Sequence, residues 1–393
     1  MIIKLMKDSF YNEFETKKKL CKFIMSAEKL SMGDKCSEFE SKFSNYQGRK
    51  YAVMFNSGSS ANLAILQAAL NSGLLKLGNE VAFSSLTWAT NVMPIIQLGF
   101  KPVPVDVSLK TINVSPGEFE KIIKETKIKA FFITNLLGFC DDIKKIKDIC
   151  EKNKILLFED NCESLGSEVD GKKLGNFGFA SSFSFFVGHH LSTIEGGMVC
   201  TDDLDFYNML KMVRAHGWIR DVDQTLAKKF LENEKVDDFY ARYAFFVPGY
   251  NLRPTEISGF LGLEQLKFVE QIVSKREENY LKFMDAALSN KDVLHNEYNF
   301  QSRISNFAFP LILKDEKTFE KYKKSFIDNG VEIRPIVAGS IVKQPFFKQH
   351  VSENKSKCQN AEKIHAQGFY LPNRPDLTDD EINLICDLIK GKK

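Results

Sequence analysis

The chain has little that would mark it for a special environment. No apolar run approaches the ~18–20 residues that a membrane-spanning helix needs. The best candidate, Ala130 to Cys140, is interrupted by Thr134, Asn135 and Gly138. It reads as a buried strand with its exit loop. The eight cysteines form no CxxC or CxC pair. That excludes a disulfide frame and a metal knuckle, and points to reduced, mostly buried thiols in the cytoplasm. Neither sign of charge is in excess, with 54 Lys and Arg against 51 Asp and Glu and a formal net charge of +3. Without a concentrated basic field, nucleic acid and anionic membranes are not expected partners. The opening MIIKLMKDSFYNEF has an apolar part too short for a signal-peptide core, and no small-residue cleavage site follows it.

What is present is an enzyme-sized globular sequence. Its 393 residues are 44% hydrophobic and 27% charged, enough for a sizeable core divided over two unequal domains. From Tyr51 onward, short apolar runs alternate with amphipathic stretches. YAVMF, EVAFSS, KPVPVDV, KAFFITNLL and KILLFEDN read as strands, separated by helical segments. Ser115 is an N-cap with Pro116 at the first helical position. The βα rhythm predicts a mainly parallel sheet covered by helices. It places a large α/β domain at residues 1–265 and a small C-terminal α+β domain at 266–393. Residues 221–247, charged and aromatic, break the rhythm and read as a helical insertion. A single long helix is expected from Leu261 to about Ala287.

Three segments carry chemistry. Asn56-Ser57-Gly58-Ser59-Ser60-Ala61 joins a strand to a helix. Its backbone N–H groups and hydroxyls could cradle an anion, aided by the helix dipole. It has neither GxxxxGK(S/T) nor GxGxxG, so neither standard nucleotide loop is supported. By itself it reads first as a well-capped helix start. Phe158-Glu159-Asp160-Asn161-Cys162-Glu163 ends an apolar strand at the sheet edge where open α/β proteins bind ligands. A carboxylate buried there needs a positive partner, such as a protonated pyridine nitrogen, or else caps the next element. Finally, Ser182 to Gly197 holds the pair His189-His190. Adjacent residues point in different directions and no third ligand sits at a usual spacing, so a metal is not expected.

Taken together these segments resemble the DegT-type nucleotide-sugar aminotransferases, which have the fold-type-I architecture of pyridoxal-phosphate (PLP) enzymes. The likeness runs from FESKFSNYQGRKYAVMFNSGSSANLAI through TNLLGFCDDI, FEDNCESLG, FSFFVGHHLSTIEGGMV and GYNLRPTEISGFLGLEQL to LPNRPDLTDDEI. Each motif is weak alone, but their order is specific. The aminotransferases carry Lys-Asn where this chain has His189-His190. That departure, with VAGSIVKQP at 337–345, is similar to the subgroup of sugar 3-dehydratases that use the aminated cofactor, pyridoxamine phosphate (PMP). A related dehydrase holds an iron–sulfur cluster on grouped cysteines; this chain has no such group, and no iron is expected.

The resemblance implies a role for each matching residue. Gly58, Ser59 and Ser184 would hold the cofactor phosphate, completed by Asn251 from the neighbouring subunit of a homodimer. Trp88 would stack on the pyridine ring, Asp160 would pair with its nitrogen, and Glu163 would lie beside its hydroxyl. The imidazole of His189 cannot anchor the cofactor covalently as lysine does. It would instead take a proton from the cofactor methylene and return one to the departing C3 hydroxyl. An ordinary imidazole value near ~6.5 suits both tasks. The substrate would be a nucleotide-linked 4-keto-6-deoxy sugar, GDP-linked by the nearest likeness, with L-glutamate as amino donor. Arg220, Arg253 and Arg334 are candidates for the anionic groups of sugar nucleotide and glutamate. His190 and His216 stay unassigned. An aminotransferase with another anchoring amine, and a non-catalytic regulator on the same fold, are the alternatives.

Overall fold

The computed structural model describes residues 2–237, 239–351 and 357–392. Two helices, Glu13–Ser26 and Asp34–Gln47, precede the first strand. The strands follow as β1 (Tyr51–Phe55), β2 (Glu80–Ser84), β3 (Lys101–Val105), β4 (Ile128–Thr134), β5 (Leu156–Asp160), the short hairpin β6 (Glu168–Val169) and β7 (Lys172–Lys173), β8 (Ala180–Ser184) and β9 (Gly197–Thr201). Seven of them form one sheet in the order β1-β9-β8-β5-β4-β2-β3. Only β9 runs against its two neighbours, β1 and β8; the remaining pairings are parallel. Parallel strands are buried on both faces, and the near-continuous apolar runs of β4 and β5 reflect that.

The βα reading of the sequence is realised here. Helices Gly58–Asn71, Pro116–Glu125 and Ile143–Lys152 connect successive strands. Ser57, Ser115 and Asp142 cap them by accepting the N–H of the residue three places on, which satisfies one orphan donor in each first turn. One face of the sheet packs Val53, Phe55, Phe83, Phe132 and Phe158 against the helix Gly58–Asn71. The other contributes Phe131, Ile133 and Leu157 to a core that continues into the C-terminal region.

That region holds a second, antiparallel sheet of β10 (Ala308–Ile312), β11 (Arg334–Pro335) and β12 (Gly368–Pro372), in the order β10-β12-β11. The residues expected as one long helix form two, Glu256–Leu266 and Val269–Leu288. The chain turns at Lys267-Phe268, where the Phe268 N–H bonds the Gln265 carbonyl three residues back. Gln265 is held there because its side chain bonds the Tyr11 backbone and the Thr16 hydroxyl. No Pro or Gly marks the break, so periodicity passes straight through it. Within 221–247, the helix Gln224–Asn233 has no fully buried residue. It leans on a small satellite cluster with Met212, Ile219 and Val222. No helix among the described residues is long and apolar enough to cross a membrane.

Candidate active site

The C-terminal ends of β4, β5 and β8 and the start of the helix Gly58–Asn71 surround a cavity of about 380 Å³. Gly58, Ser59, Trp88, Asp160, Glu163, Ser184 and His189 all line it. The sheet edge explains the convergence: parallel strands deliver their last residues, and the helix that follows β1 its N-terminus, to one side.

Ser57 is the helix cap. Its Oγ accepts the Ser60 N–H at 3.1 Å, which leaves Gly58 and Ser59 as the first helical residues with first-turn N–H groups that have no intrahelical partner. Gly58 lies against β8: a Cβ there would come within 2.6 Å of Ser184 Cβ and 3.1 Å of Cys162 Sγ. Helix start and strand end thus close into one cradle with the composition of an anion site.

The acidic run at the end of β5 is split by strand alternation. Glu159 is fully buried on the far side, where its carboxylate accepts the N–H groups of Gly175, Phe177 and Gly178 at 2.6–2.8 Å. It holds the loop that leads into β8. Asp160 faces the cavity. Its Oδ2 accepts from Asn91 at 2.7 Å and Asn62 at 3.0 Å, and its Oδ1 from the Cys162 N–H at 2.9 Å. No ion pair to Asp160 exists among the described residues, so a buried carboxylate stands over the cavity with hydrogen bonds but no countercharge. Glu163 accepts the Leu137 N–H at 2.9 Å. Leu137 has φ of +55°, an uncommon conformation for a non-glycine residue, on the turn that leaves β4.

His189 stands with its ring 5.2 Å from that of Phe307 and 5.9 Å from that of Phe186, edge to face in both. Its Nδ1 has no hydrogen-bond partner. Burial lowers its pKa to about 4, against smaller upward pulls from the Cys162 backbone and Asp160. The ordinary value expected from sequence is therefore corrected: the ring is neutral near pH 7, and its cation is a stronger acid than free imidazole. His190 is buried beside it with Nε2 on the Ser305 carbonyl at 3.1 Å, and does not line the cavity. It packs where His189 opens.

Asn251, Arg220 and Arg253 lie elsewhere, on a separate concavity with Trp218. Arg220 stacks 3.9 Å from the Trp218 ring centre and donates to the Arg242 carbonyl; Arg253 donates to Asn251 Oδ1 at 2.9 Å. Arg334 pairs with Glu332 in a cleft that shares Phe186, Gly188, Phe307 and Tyr370 with the main cavity. His216 contacts Trp218, not the cavity. Sequence reasoning gave no role to Asn62, Asn91, Glu195, Phe307, Val337 and Tyr370, all of which line the site. Asn62 had a signal, as a polar residue on the buried face of the helix that opens with Gly58. No lysine or arginine lines this cavity. No cluster of three His, Cys, Asp or Glu side chains suited to a metal occurs among the described residues.

The arrangement fits a flat, cationic-ringed phosphate ester. The helix start would receive the phosphate, the unpaired Asp160 carboxylate a protonated ring nitrogen, and the half-exposed Trp88 (54% exposed) a ring face. Similar proteins hold a cofactor of that description, PLP. A curated GDP-4-keto-6-deoxy-D-mannose 3-dehydratase of Yersinia pseudotuberculosis is 34% identical over 375 residues, 93% of each chain. The solved structure of the E. coli GDP-4-keto-6-deoxy-D-mannose-3-dehydratase with bound hydrated PLP superposes with a TM-score of 0.89 at 30% identity, covering 99% of this chain and all of that one. A second structure of a dehydratase so named, holding a trapped PLP-glutamate geminal diamine, matches at 0.89 and 29% identity over 99% of this chain and all of that one. The family model for DegT/DnrJ/EryC1/StrS aminotransferases matches residues 12–390, and the chain belongs to that family.

Proposed function

We propose that this protein is a PLP/PMP-dependent 3-dehydratase that removes the C3 hydroxyl of a nucleotide-linked 4-keto-6-deoxy sugar, GDP-4-keto-6-deoxy-D-mannose, with L-glutamate as amino donor. The product is a 3-deoxy-4-keto sugar for deoxysugar and lipopolysaccharide biosynthesis. The observation that carries the reading is the cavity wall. His189 stands where the family's aminotransferases have lysine, and no other lysine lines the cavity.

When bound, the cofactor supplies a protonated pyridine ring that takes up an electron pair as a neighbouring C–H bond breaks. The residues of the chain do the rest. Gly58, Ser59 and Ser184 bind the phosphate. Asp160, kept in place by Asn62 and Asn91, holds the ring-nitrogen proton. Trp88 covers one ring face. His189, neutral in its buried setting, would accept a proton from the cofactor methylene and return it to the departing hydroxyl. Its lowered pKa weakens it as a base and strengthens its cation as an acid, which favours the second transfer.

The cavity has carboxyls at Asp160, Glu163 and Glu195 but no cationic side chain. The diphosphate of a sugar nucleotide therefore needs charge from outside it. Arg220 and Arg253 are the candidates to provide it, from the same concavity as Asn251, which completes the cofactor-phosphate site from the second subunit of a homodimer; Arg334 serves from the adjoining cleft. The protein works in the cytoplasm.

The test is product mass and ammonia release with a panel of GDP- and CDP-linked 4-keto-6-deoxy sugars, PLP and L-glutamate. Loss of the C3 oxygen with ammonia released, and preference for GDP, are expected. A stable amino sugar without ammonia overturns the dehydratase reading.

A further inference from the structure

His189 sits on a loop that runs between two open spaces. Gly188 and His189 line the main cavity. Both also line a second cavity of about 160 Å³, together with Val187 and His190. Packing therefore fixes this loop less than a filled core would. Its backbone bonds stay internal: the Val187 N–H goes to the Ile194 carbonyl, that of His189 to Phe186, and that of Thr193 to Phe185. Leu191 anchors the loop in an apolar cluster, but apolar contact has no preferred direction.

His190 reaches out of the loop. Its ring is buried, and its Nε2 lies 3.1 Å from the Ser305 carbonyl oxygen. A carbonyl only accepts, so Nε2 carries the hydrogen. The receiving segment, Ser305-Asn306-Phe307, is itself held from three places. The Ser305 N–H bonds Ser167 Oγ at 2.9 Å. Asn306 Nδ2 and the Phe307 N–H both bond the Leu137 carbonyl, at 2.8 and 3.0 Å. Arg276 donates to the Phe307 carbonyl at 2.7 Å. Phe307 then sets its ring 5.2 Å from that of His189, edge to face.

We propose that His190 is a positioning residue: its Nε2–H ties the loop to the fixed Ser305–Phe307 segment and so holds the His189 imidazole against Phe307 in the orientation that proton transfer needs. The inference rests on the acid–base reading of His189. Misplacing such a group by about 1 Å costs about 10²-fold in rate, so a tie made one residue away matters.

His190→Phe keeps a buried ring without the donor, and His190→Gln restores an N–H at similar reach. In the apo protein, ¹⁵N spectra of the histidine rings should give His190 as the Nε2–H tautomer. The His189 signals, identified by their loss in H189N, should shift in H190F and return in H190Q. With PLP and L-glutamate, the conversion of PLP to PMP is followed by absorbance. At saturating glutamate H190F should be slower by about 10–100-fold, with PLP affinity within about twofold, and H190Q should recover most of the rate. In an H189N background, adding H190F should change the residual rate less than about twofold, because residues that act as one unit are not additive. Should H190F not fold, H190M, also without a donor, takes its place. An unchanged rate in the donorless variant, no recovery in H190Q, an Nδ1–H tautomer, or a full further loss on top of H189N overturns the positioning role alone. No conversion by wild type, or a wild-type rate in H189N, overturns the acid–base reading and the positioning role with it.

Discussion

Gly58 and Ser184 touch so closely that the helix start and the end of β8 have no room between them for a methyl group: a Cβ on Gly58 would lie 2.6 Å from Ser184 Cβ. The backbone of Gly58 is not left-handed here, so the demand is purely one of space. Gly58→Ala should therefore force the two elements apart. Overpacking of this kind costs about 1–3 kcal/mol, read as a lower denaturant midpoint. PLP affinity should fall more than stability does, because the phosphate cradle is the part displaced.

Asn91 and Asn62 both donate to one oxygen of Asp160. Asn91→Ala removes the shorter of those bonds and leaves a buried carboxylate oxygen with less support. A loss of about 1–3 kcal/mol follows from such an unsatisfied group, measured by chemical denaturation of the apo protein. Asn91 also holds Asp160 for the ring nitrogen, so the variant should bind PLP more weakly, and the stability gap to wild type should widen when PLP is added.

His189→Asn should lower turnover by about 10²–10⁴, the usual worth of a positioned acid–base group, with PLP binding changed little. The pH profile carries a sharper sign. A neutral base at about 4 in the folded protein keeps the acid limb of turnover well below the ordinary imidazole range. Stability moves the other way from a salt-bridged histidine. The unfolded chain protonates His189 near ~6.5 while the folded one does not. Its burial thus destabilises progressively as pH falls from about 6.5 toward 4, and His190, also lowered by burial, adds to that. Replacing His189 by Asn should flatten the acid side of a melting-temperature profile.

Arg220→Ala should raise KM for the nucleotide sugar and leave PLP affinity unchanged, since Arg220 is not on the cofactor cavity of its own chain. If it serves the neighbouring subunit, mixing H189N with R220A protein should restore activity. Random exchange in a twofold dimer yields half mixed dimers with one intact site each, or about a quarter of wild-type turnover. No recovery after subunit exchange would place both residues in one chain's site.

Much of this was legible in sequence because it depends on local rules. Alternating apolar and amphipathic runs require the parallel sheet. The strand ending in Phe158-Glu159-Asp160 and the Ser57-Gly58-Ser59 helix start name the edge where ligands bind. The ordered motifs, with His189 in the lysine's place, indicate the family and the altered chemistry. Other features have no local signal. The turn at Lys267-Phe268 exists because Gln265 is held from Tyr11 and Thr16, far away in sequence. Tyr370 and Phe307 reach the cavity only because the C-terminal sheet packs beside the large one.

Sequence by itself determined the sheet and the helix cap and singled out His189 as the candidate acid–base residue, since periodicity, turn chemistry and residue type act over a few positions. Tertiary structure alone decided how those groups behave. Asp160 stays ready to pair because two distant asparagines hold it. Glu159, its neighbour, is spent on a loop. His189 and Glu163 are moved far from their ordinary pKa values by burial. Burial and partner geometry come from segments far apart in the chain, and no spacing along the sequence encodes them.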